Sequence, residues 1–458
     1  MSCKAAESHE VAVLRMARVN SNKHMHYSVE RKKAKEKKED KQEGRTGKVK
    51  KKEGYALTKI EDTYYLLPYG QRIAEQKKGI LLNEIGAFLW KELDRCQDQE
   101  ALEERLAEYV EAKEGDKDSL HRDVEAFLGG LKQMGLLYET EEKVKECAPK
   151  QEREDKEGKA EDFLQPVERI MEIAGFQISL RGRKCLFPDE FVPFYEKNDL
   201  RALPDQRIEI LEKMPAYQEN GQILLRTAEV IICENANDYG ILFLQMESVK
   251  EAWISRDGGN VRLYAVSGRR EEIFHAIRFV VLYFLQKKGL FVMHSASIEY
   301  KGKAWLFSGH SGMGKSTHTA LWKEIVGTPL LNGDLNLVGR KKEGWMVYGL
   351  PWCGTSGIST TKCYPLGGIV LLGRDQWDHV EEIAEDEKPL RVMQRMITPA
   401  WTKDFMLFNL KLAKAVTKEI PVWKLFCTKN PSAVEVIRNR IDEWLSDEQK
   451  EKGKNCER

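Results

Sequence analysis

The stretch Ala304-Trp-Leu-Phe-Ser-Gly309-His-Ser-Gly-Met-Gly314-Lys315-Ser316-Thr317 decides the predicted fold of the C-terminal half of the chain. It contains the spacing Gly-x-x-x-x-Gly-Lys-Ser. Apolar residues suited to a β-strand precede it, and a segment without Gly or Pro, suited to a helix, follows it. A strand, a glycine-rich loop and a helix in this order form a phosphate-binding loop. Backbone N–H groups and the positive end of the helix dipole then face phosphate oxygens.

The loop pattern predicts a set of residues that contact a nucleotide. Lys315 is expected to reach the β- and γ-phosphates of ATP, and the Ser316 hydroxyl is expected to bind Mg²⁺. A glycine-rich turn that only joins strand to helix would account for the glycines, but not for Lys315 and Ser316. The predicted nucleotide-contacting residues are Gly309, His310, Ser311, Gly312, Met313, Gly314, Lys315, Ser316 and Thr317.

Asp334 is a second candidate site residue, because it follows the next apolar run, residues 329–331. An acid at the end of a strand beside a phosphate loop is the expected Mg²⁺ ligand or general base. Asn332-Gly333 is also a typical turn sequence, so capping a turn is an alternative role for the Asp334 side chain, but the metal or base role is favoured.

His294 ends an apolar run fifteen residues before Gly309 and is a third candidate, with a catalytic role. A lone histidine at a strand end also suits a hydrogen-bonded core residue. Trp352 and Cys353 lie in the glycine-rich stretch 349–357, which is suited to closing over a substrate. Cys353 has no evident partner base that would make it a nucleophile.

The composition of the whole chain restricts its class. A length of 458 residues suffices for two or three domains. The 74 Lys and Arg nearly balance the 73 Asp and Glu, so the charge indicates neither a nucleic-acid nor a membrane partner. No apolar run is long enough to span a membrane, and residues 11–19 are too short and charged for a secretory signal. Nine scattered Cys without a C-x-x-C pair are typical of a reducing compartment, so we expect a cytoplasmic protein.

Changes in composition divide the chain into five segments. Between Arg31 and Glu53 there are twelve Lys or Arg, five acidic residues and no aromatic residue, which predicts disorder. A basic tail for RNA, membrane or peptide is the alternative, but interspersed acids disfavour it. The predicted segments are a basic arm (1–54), a small domain (55–138), a charged linker (139–162), a larger domain (163–446) and a charged, frayed tail (447–458).

The small domain combines short apolar strands near 64–68 and 79–82 with three amphipathic helices. Asn83 is the predicted N-cap of the first helix. This order predicts a winged-helix-like unit. A generic three-helix packing module and a DNA-binding winged helix have the same pattern, but the third helix lacks the Lys/Arg cluster that DNA would require.

The run Leu82-Asn-Glu-Ile-Gly-Ala-Phe-Leu-Trp90 resembles the signature of PqqD-type domains. Such domains bind the leader segment of ribosomal precursor peptides, usually as a strand added to a sheet edge. The resemblance therefore implies a peptide leader as the partner of residues 55–138.

Residues 163–446 begin with short β-rich runs, which predict an antiparallel layer, and continue with a helix near 273–284. The element His294-Ser-Ala-Ser-Ile-Glu-Tyr-Lys-Gly302, the glycine loop and the later acid together resemble the HPr kinase and ATP-dependent phosphoenolpyruvate carboxykinase superfamily. The resemblance implies an α/β (α+β) fold with a mixed sheet, a P-loop kinase domain and a homo-oligomer.

The same resemblance assigns roles to individual residues. It implies that His294 lies at the γ-phosphate or the acceptor, that Lys315 contacts the nucleotide, and that Asp334 is the second of two paired aspartates. Gly333 stands where the family has the first aspartate, which is thought to help deprotonate the acceptor serine. The base would then be Asp334 or His294, or the chemistry would be slow or absent.

These observations lead to one functional expectation and two alternatives. We expect an ATP- and Mg²⁺-dependent kinase that phosphorylates a hydroxyl, most plausibly Ser on a peptide recruited by the PqqD-like domain, in ribosomal peptide modification. The first alternative is a non-catalytic, nucleotide-regulated peptide chaperone or scaffold. The second is a small-molecule kinase acting on a free amino acid. No nucleic-acid partner is expected.

Overall fold

The computed structural model forms a mixed α/β protein with two compact units, Met1–Asp162 and Phe163–Arg458. Ser311, most of the predicted arm and the predicted linker lie outside the described residues. No helix in the described part is long and apolar enough to cross a membrane. The structure describes residues 12–14, 50–74, 79–96, 98–112, 116–138, 166–196, 203–213, 221–265, 269–310 and 312–456.

The N-terminal unit contains a four-stranded sheet in the order β1-β4-β3-β2. β1 is parallel to β4, and the other neighbours are antiparallel. The strands are β1 (Ala12–Leu14), β2 (Tyr55–Ile60), β3 (Thr63–Pro68) and β4 (Ile80–Leu82), and the helices are α1 (Gln71–Ala74), α2 (Glu84–Glu92), α3 (Gln99–Tyr109) and α4 (Lys117–Gln133).

Local caps and apolar faces explain where these helices lie. Asn83 accepts a hydrogen bond from the Gly86 N–H at 2.8 Å, which confirms the predicted N-cap of α2. The helices bury their apolar faces in one core with the sheet, for example at Leu89, Leu106 and Phe127. The last residues of the predicted arm also join this unit. The Lys52 N–H donates to the Leu136 carbonyl at 2.8 Å, and the Tyr138 N–H donates to the Lys50 carbonyl at 2.9 Å.

The C-terminal unit begins with an eight-stranded sheet in the order β5-β6-β7-β12-β11-β10-β9-β8. β7 runs parallel to both of its neighbours, so the prediction of an antiparallel layer is wrong at this strand. The reason is that a long crossover, and not a hairpin, connects β6 to β7. A hairpin makes two strands antiparallel, whereas a crossover allows them to run parallel. The strands are β5 (Val167–Ile173), β6 (Phe176–Gly182), β7 (Gln206–Leu211), β8 (Gln222–Arg226), β9 (Val230–Glu234), β10 (Asp238–Phe243), β11 (Val249–Ser255) and β12 (Asn260–Ala265).

A second eight-stranded sheet follows, and it positions the candidate site. Its main order is β14-β13-β16-β17-β18-β20-β19, β15 pairs with β13, and β14 also pairs with β18. Five strands therefore close a ring of pairings. The elements are α5 (Arg270–Lys287), β13 (Phe291–Tyr300), β14 (Lys303–Ser308), α6 (Lys315–Val326), β15 (Leu330–Asn332), β16 (Leu335–Lys341), β17 (Gly344–Tyr348), β18 (Cys363–Arg374), β19 (His379–Glu382), α7 (Lys388–Met393), α8 (Lys403–Glu419), β20 (Val422–Cys427) and α9 (Ser432–Cys456).

The core beside this sheet lies between its strands and the helices α6 and α9. Trp305, Trp322 and Trp423 are buried there, and the rings of Trp305 and Trp423 stack at 6.2 Å. α9 extends through Cys456, so residues 447–456, expected as part of a frayed tail, continue the helix. β14 and β18 are parallel and end at the same edge, where the loop to α6 begins.

Candidate functional site

The loop between β14 and α6 has a backbone that requires glycine. Gly312 and Gly314 have φ angles of 76° and 100°, which side-chain-bearing residues rarely adopt. Gly309 is favoured by packing instead, because a Cβ there would make a tight contact, 3.1 Å from the Cβ of Met313. α6 starts at Lys315, so the loop leads directly into a helix N-terminus. This is the local geometry that anions favour.

Lys315 lies beneath this loop. It is only 9% exposed, and its Nζ donates a hydrogen bond to the Gly309 carbonyl at 3.1 Å. Burial lowers the pKa of the Lys315 ammonium, against the raising effect of the nearby Asp334 carboxylate. Ser316 and Thr317, the next two predicted residues, are exposed on the first turn of α6.

His294 and Asp334 meet at the mouth of the loop. Nε2 of His294 lies 3.2 Å from Oδ1 of Asp334. The antiparallel pairing of β13 with β16 aligns them, and the Ser295 N–H donates to the Asp334 carbonyl at 2.8 Å. The His294 hydrogen bond, with smaller contributions from Lys315 and Arg278, holds the pKa of Asp334 below its usual value although burial opposes this. Asp334 is therefore a carboxylate at neutral pH.

The turn before Asp334 is capped by Asn332. Its Oδ1 accepts the N–H groups of Asp334 at 2.9 Å and Leu335 at 3.1 Å, and its Nδ2 donates to the Leu350 carbonyl at 3.2 Å. The alternative in which the Asp334 side chain caps this turn is therefore wrong. The Asp334 carboxylate points to His294 instead.

The glycine-rich stretch 349–357 packs directly on this turn. A Cβ at Gly333 would lie 2.5 Å from the Cβ of Ser356 and 3.2 Å from the Cys353 carbonyl oxygen. A Cβ at Gly354, whose φ is 61°, would lie 2.9 Å from the Cβ of Asp334. An aspartate at position 333 therefore does not fit this arrangement, because Ser356 occupies the space its side chain would need.

Trp352 anchors this stretch from inside the core and is not a substrate-facing residue. It is 2% exposed, and its indole N–H donates to the Phe274 carbonyl at 3.0 Å. Its ring contacts those of Phe191 and Phe274. Burial raises the pKa of the neighbouring Cys353 thiol, so this cysteine is not activated as a nucleophile.

Three arginines near the site carried no signal in the sequence. Arg374, at the end of β18, donates to the Gly312 carbonyl. Nη1 of Arg395, just after α7, lies 3.2 Å and 3.1 Å from the two ring nitrogens of His310. Arg278 on α5 acts electrostatically on Asp334. None of these lies in a recognisable short motif, and each reaches the site only through the tertiary fold.

The donor set at the loop mouth fits a hard divalent cation. The Ser316 hydroxyl and the ionised Asp334 carboxylate are oxygen ligands of the kind that Mg²⁺ prefers. Within the described ranges, no group of three or more His, Cys, Asp or Glu forms a complete metal site. Mg²⁺ typically takes its remaining ligands from water and substrate phosphates, so two protein oxygens are consistent with such a site.

Comparisons with known proteins show a similarity in the N-terminal unit most directly. A family model described as coenzyme PQQ synthesis protein D (PqqD) matches residues 73–137. Solved structures that match include the Hpr(Ser) kinase/phosphatase from Coxiella burnetii, with 11% sequence identity and a TM-score of 0.21. That match covers 34% of this chain and 96% of the other. No curated protein matches the chain. The kinase resemblance therefore rests on the residues between His294 and Asp334.

Proposed function

We propose that this chain is an ATP-dependent kinase that phosphorylates a serine hydroxyl on a peptide whose leader binds the N-terminal unit. One observation carries the catalytic half of this proposal. Lys315 at the start of α6, His294 on β13 and Asp334 in the turn before β16 converge where a glycine loop meets a helix N-terminus. This combination brings together hydrogen-bond donors for phosphate oxygens, an acidic metal ligand and a candidate base.

The loop, Lys315 and the metal ligands have different roles in the proposed reaction. The loop N–H groups and the Lys315 ammonium hold the β- and γ-phosphates of ATP and oppose the charge that develops during transfer. Mg²⁺, held by the Ser316 hydroxyl and a carboxylate oxygen of Asp334, supplies further neutralisation of the phosphates when bound. Positioning and charge neutralisation account for most of the catalysis in phosphoryl transfer.

The base in this proposal is His294. When Nε2–H of His294 donates to Asp334, Nδ1 carries the lone pair and is available to a hydroxyl. The hydroxyl oxygen bonds to the γ-phosphorus, the bond to the leaving ADP oxygen breaks, and the hydroxyl proton goes to Nδ1. Asp334 orients the imidazole and stabilises the cation that forms, so the absence of an aspartate at position 333 does not remove the base.

The peptide half of the proposal rests on the family match and on one sheet edge. Residues 73–137 match the PqqD family. In the same unit, β1 pairs in parallel with β4, with Ala12 opposite Ile80 and Leu14 opposite Leu82. An edge that accepts a strand of this chain through its backbone is also suited to accepting a leader peptide.

The direct test is phosphate transfer by the purified chain with ATP and Mg²⁺, in the presence of peptides encoded beside its gene. Mass spectrometry should find phosphoserine with the wild type and lose it with Lys315→Ala and Asp334→Asn. Lys323→Ala is a matched control, because Lys323 is exposed on the same helix and should leave transfer unchanged. Transfer that survives both site substitutions would refute the proposed site.

A second function is favoured by the packing of Ser356 on Gly333. That packing removes the carboxylate position of the resembled kinases, which suits a peptide-binding scaffold regulated by the nucleotide. Tight binding of ATP without transfer to any peptide would support the scaffold. Peptide affinity that changes on addition of ATP would then be its positive evidence.

A further inference from the structure

The candidate site contains two arginines, Arg278 and Arg395, that have no role in the proposed function. The Asp334 carboxylate interacts electrostatically with Lys315 and Arg278, Arg278 also interacts with Glu229, and Arg395 interacts with Lys315. In the described part of the chain, neither guanidinium forms an ion pair with a carboxylate. Burial lowers the pKa of both arginines. A partly buried cation without a paired anion is unfavourable, so the arrangement calls for an anionic ligand.

Arg395 is the best placed of the two arginines. Its carbonyl accepts the His294 N–H at 2.9 Å, and the Ile397 N–H donates to the Val292 carbonyl at 2.8 Å. The segment that carries Arg395 is therefore fastened along the start of β13, beside the candidate base. From there the guanidinium reaches the phosphate loop, where it contacts His310.

The contact with His310 does not satisfy the guanidinium. Nε of Arg395 is buried and has no hydrogen-bond partner among the described residues. An imidazole cannot neutralise a guanidinium, and Lys315 is close enough for the charge of Arg395 to lower its pKa. Both cations therefore act on the same space at the loop. A guanidinium offers several donors in a planar fork, which matches the oxygens of a phosphate better than a lysine does.

We propose that Arg395 binds the terminal phosphate of a bound nucleoside triphosphate, and that Arg278 adds charge from the Asp334 side. This rests on the proposed nucleotide site and adds a specificity determinant to it. Lys315 and the loop also contact the β-phosphate, which ATP and ADP share, whereas Arg395 contacts only the γ-phosphate and therefore discriminates between the two. After transfer, the loss of this contact favours release of the diphosphate.

The test is a comparison of affinities by isothermal titration calorimetry with ATP, ADP and inorganic triphosphate. Arg395→Gln should weaken the binding of ATP and of triphosphate by about tenfold or more, because it removes a charge-assisted hydrogen bond. The binding of ADP should weaken much less. Arg395→Lys should restore part of the loss. Arg391→Gln is the matched control. Arg391 lies four residues earlier and is paired with Glu387 at 3.0 Å, but its charge acts on Arg395, so Arg391→Gln should change the affinities for ATP and ADP by the same small factor.

Thermal unfolding without nucleotide separates a binding role from a structural one. Arg395→Gln should leave the melting temperature unchanged or raise it, because an unpaired, partly buried charge is removed. A lower melting temperature, or equal losses for ATP and ADP, would overturn the inference while leaving the nucleotide site in place. Wild-type protein that binds none of the three ligands would overturn the inference together with the proposed function.

Discussion

Ser356 packs onto Gly333 so closely that a Cβ at position 333 would lie 2.5 Å from the Ser356 Cβ. The hydroxyl of Ser356 donates to the Cys353 carbonyl at 2.7 Å and accepts the Ile358 N–H at 3.2 Å, which holds the stretch in place. Glycine at 333 is thus a packing requirement of this fold. The glycine at position 333 and the conformation of the stretch 349–357 are two aspects of one arrangement.

Introducing an aspartate at position 333 should therefore destabilise the protein. Gly333→Asp is expected to lower the free energy of unfolding by about 1–3 kcal/mol, because the new side chain overpacks against Ser356. Urea unfolding followed by tryptophan fluorescence measures this for the C-terminal unit, which contains nine of the ten tryptophans. Adding Ser356→Gly should recover part of this loss, and the coupling free energy between the two substitutions should be roughly 0.5–3 kcal/mol. Strictly additive effects would show that the two residues do not compete for space.

Removing the charge of Asp334 should have opposite effects on ATP affinity in the presence and absence of Mg²⁺. In EDTA, Asp334→Asn is expected to bind ATP about tenfold more tightly than the wild type, since a carboxylate near the phosphates is repulsive at an intermediate dielectric. With Mg²⁺ the order should reverse, because the variant loses a metal ligand. Equilibrium binding of a fluorescent ATP analogue measures both. The same order under both conditions would argue against a metal role for Asp334.

Preventing the β1–β4 pairing should free the edge of β4 for peptides. Val13→Pro removes a backbone N–H from β1 and disfavours the strand. In the wild type, the leader can bind only those molecules in which the edge of β4 is not paired with β1. If these are about one molecule in ten, freeing the edge in every molecule should raise the apparent leader affinity about tenfold. Amide hydrogen exchange at Ile80 to Leu82 should accelerate without peptide. Ser21→Pro, outside β1, is the control, and an equal effect of both prolines would contradict this role.

Glu272 should make stability depend on pH. Burial opposes its ionisation, but the Ser248 hydroxyl and the N–H groups of Glu247, Ser248 and Val249 donate to it and lower its pKa from 4.5 to about 2. A depressed pKa contributes stability above the unfolded value, and this contribution is lost as pH falls from 4.5 towards 2.

Glu272→Gln is therefore expected to lower the free energy of unfolding by roughly 1–3 kcal/mol at pH 7. The difference from the wild type should shrink as the pH is lowered through this window. Glu271→Gln, exposed on the same turn of α5, should show neither effect. Urea unfolding at pH 7, 4 and 3 makes the comparison. A difference that is constant with pH would show that the hydrogen bonds do not depend on the charge of Glu272.

Features encoded within a few residues could be predicted from the sequence. The strand, glycine loop and helix around Gly309 to Lys315 follow from hydrophobic periodicity and from the φ angles that glycine permits. The cap at Asn83 follows from side-chain chemistry three residues ahead of Gly86. The apolar pattern also predicted a mixed α/β protein, which the two large sheets confirm.

Features that join distant parts of the chain could not be predicted in this way. The parallel pairing of β7 depends on a crossover whose direction no local pattern records. Arg395 meets His310 across 85 residues, and Arg374 meets Gly312 across 62. Neither arginine is distinguished by its neighbours in the sequence. The use of Asn332 instead of Asp334 as the turn cap was also undecided, because both side chains suit the role.

The sequence by itself determined the strand, glycine-rich loop and helix around Gly309 to Lys315, the candidate residues His294, Lys315 and Asp334, and the likeness of the N-terminal unit to PqqD domains. These depend on spacing along the chain and on local backbone preferences. Only the tertiary structure decided that His294 contacts Asp334, that Ser356 fills the space beside Gly333, and that an arginine whose buried Nε has no partner among the described residues reaches the loop. Strand pairing and packing bring such groups together, and their energies depend on burial and distance, which the order of residues does not specify.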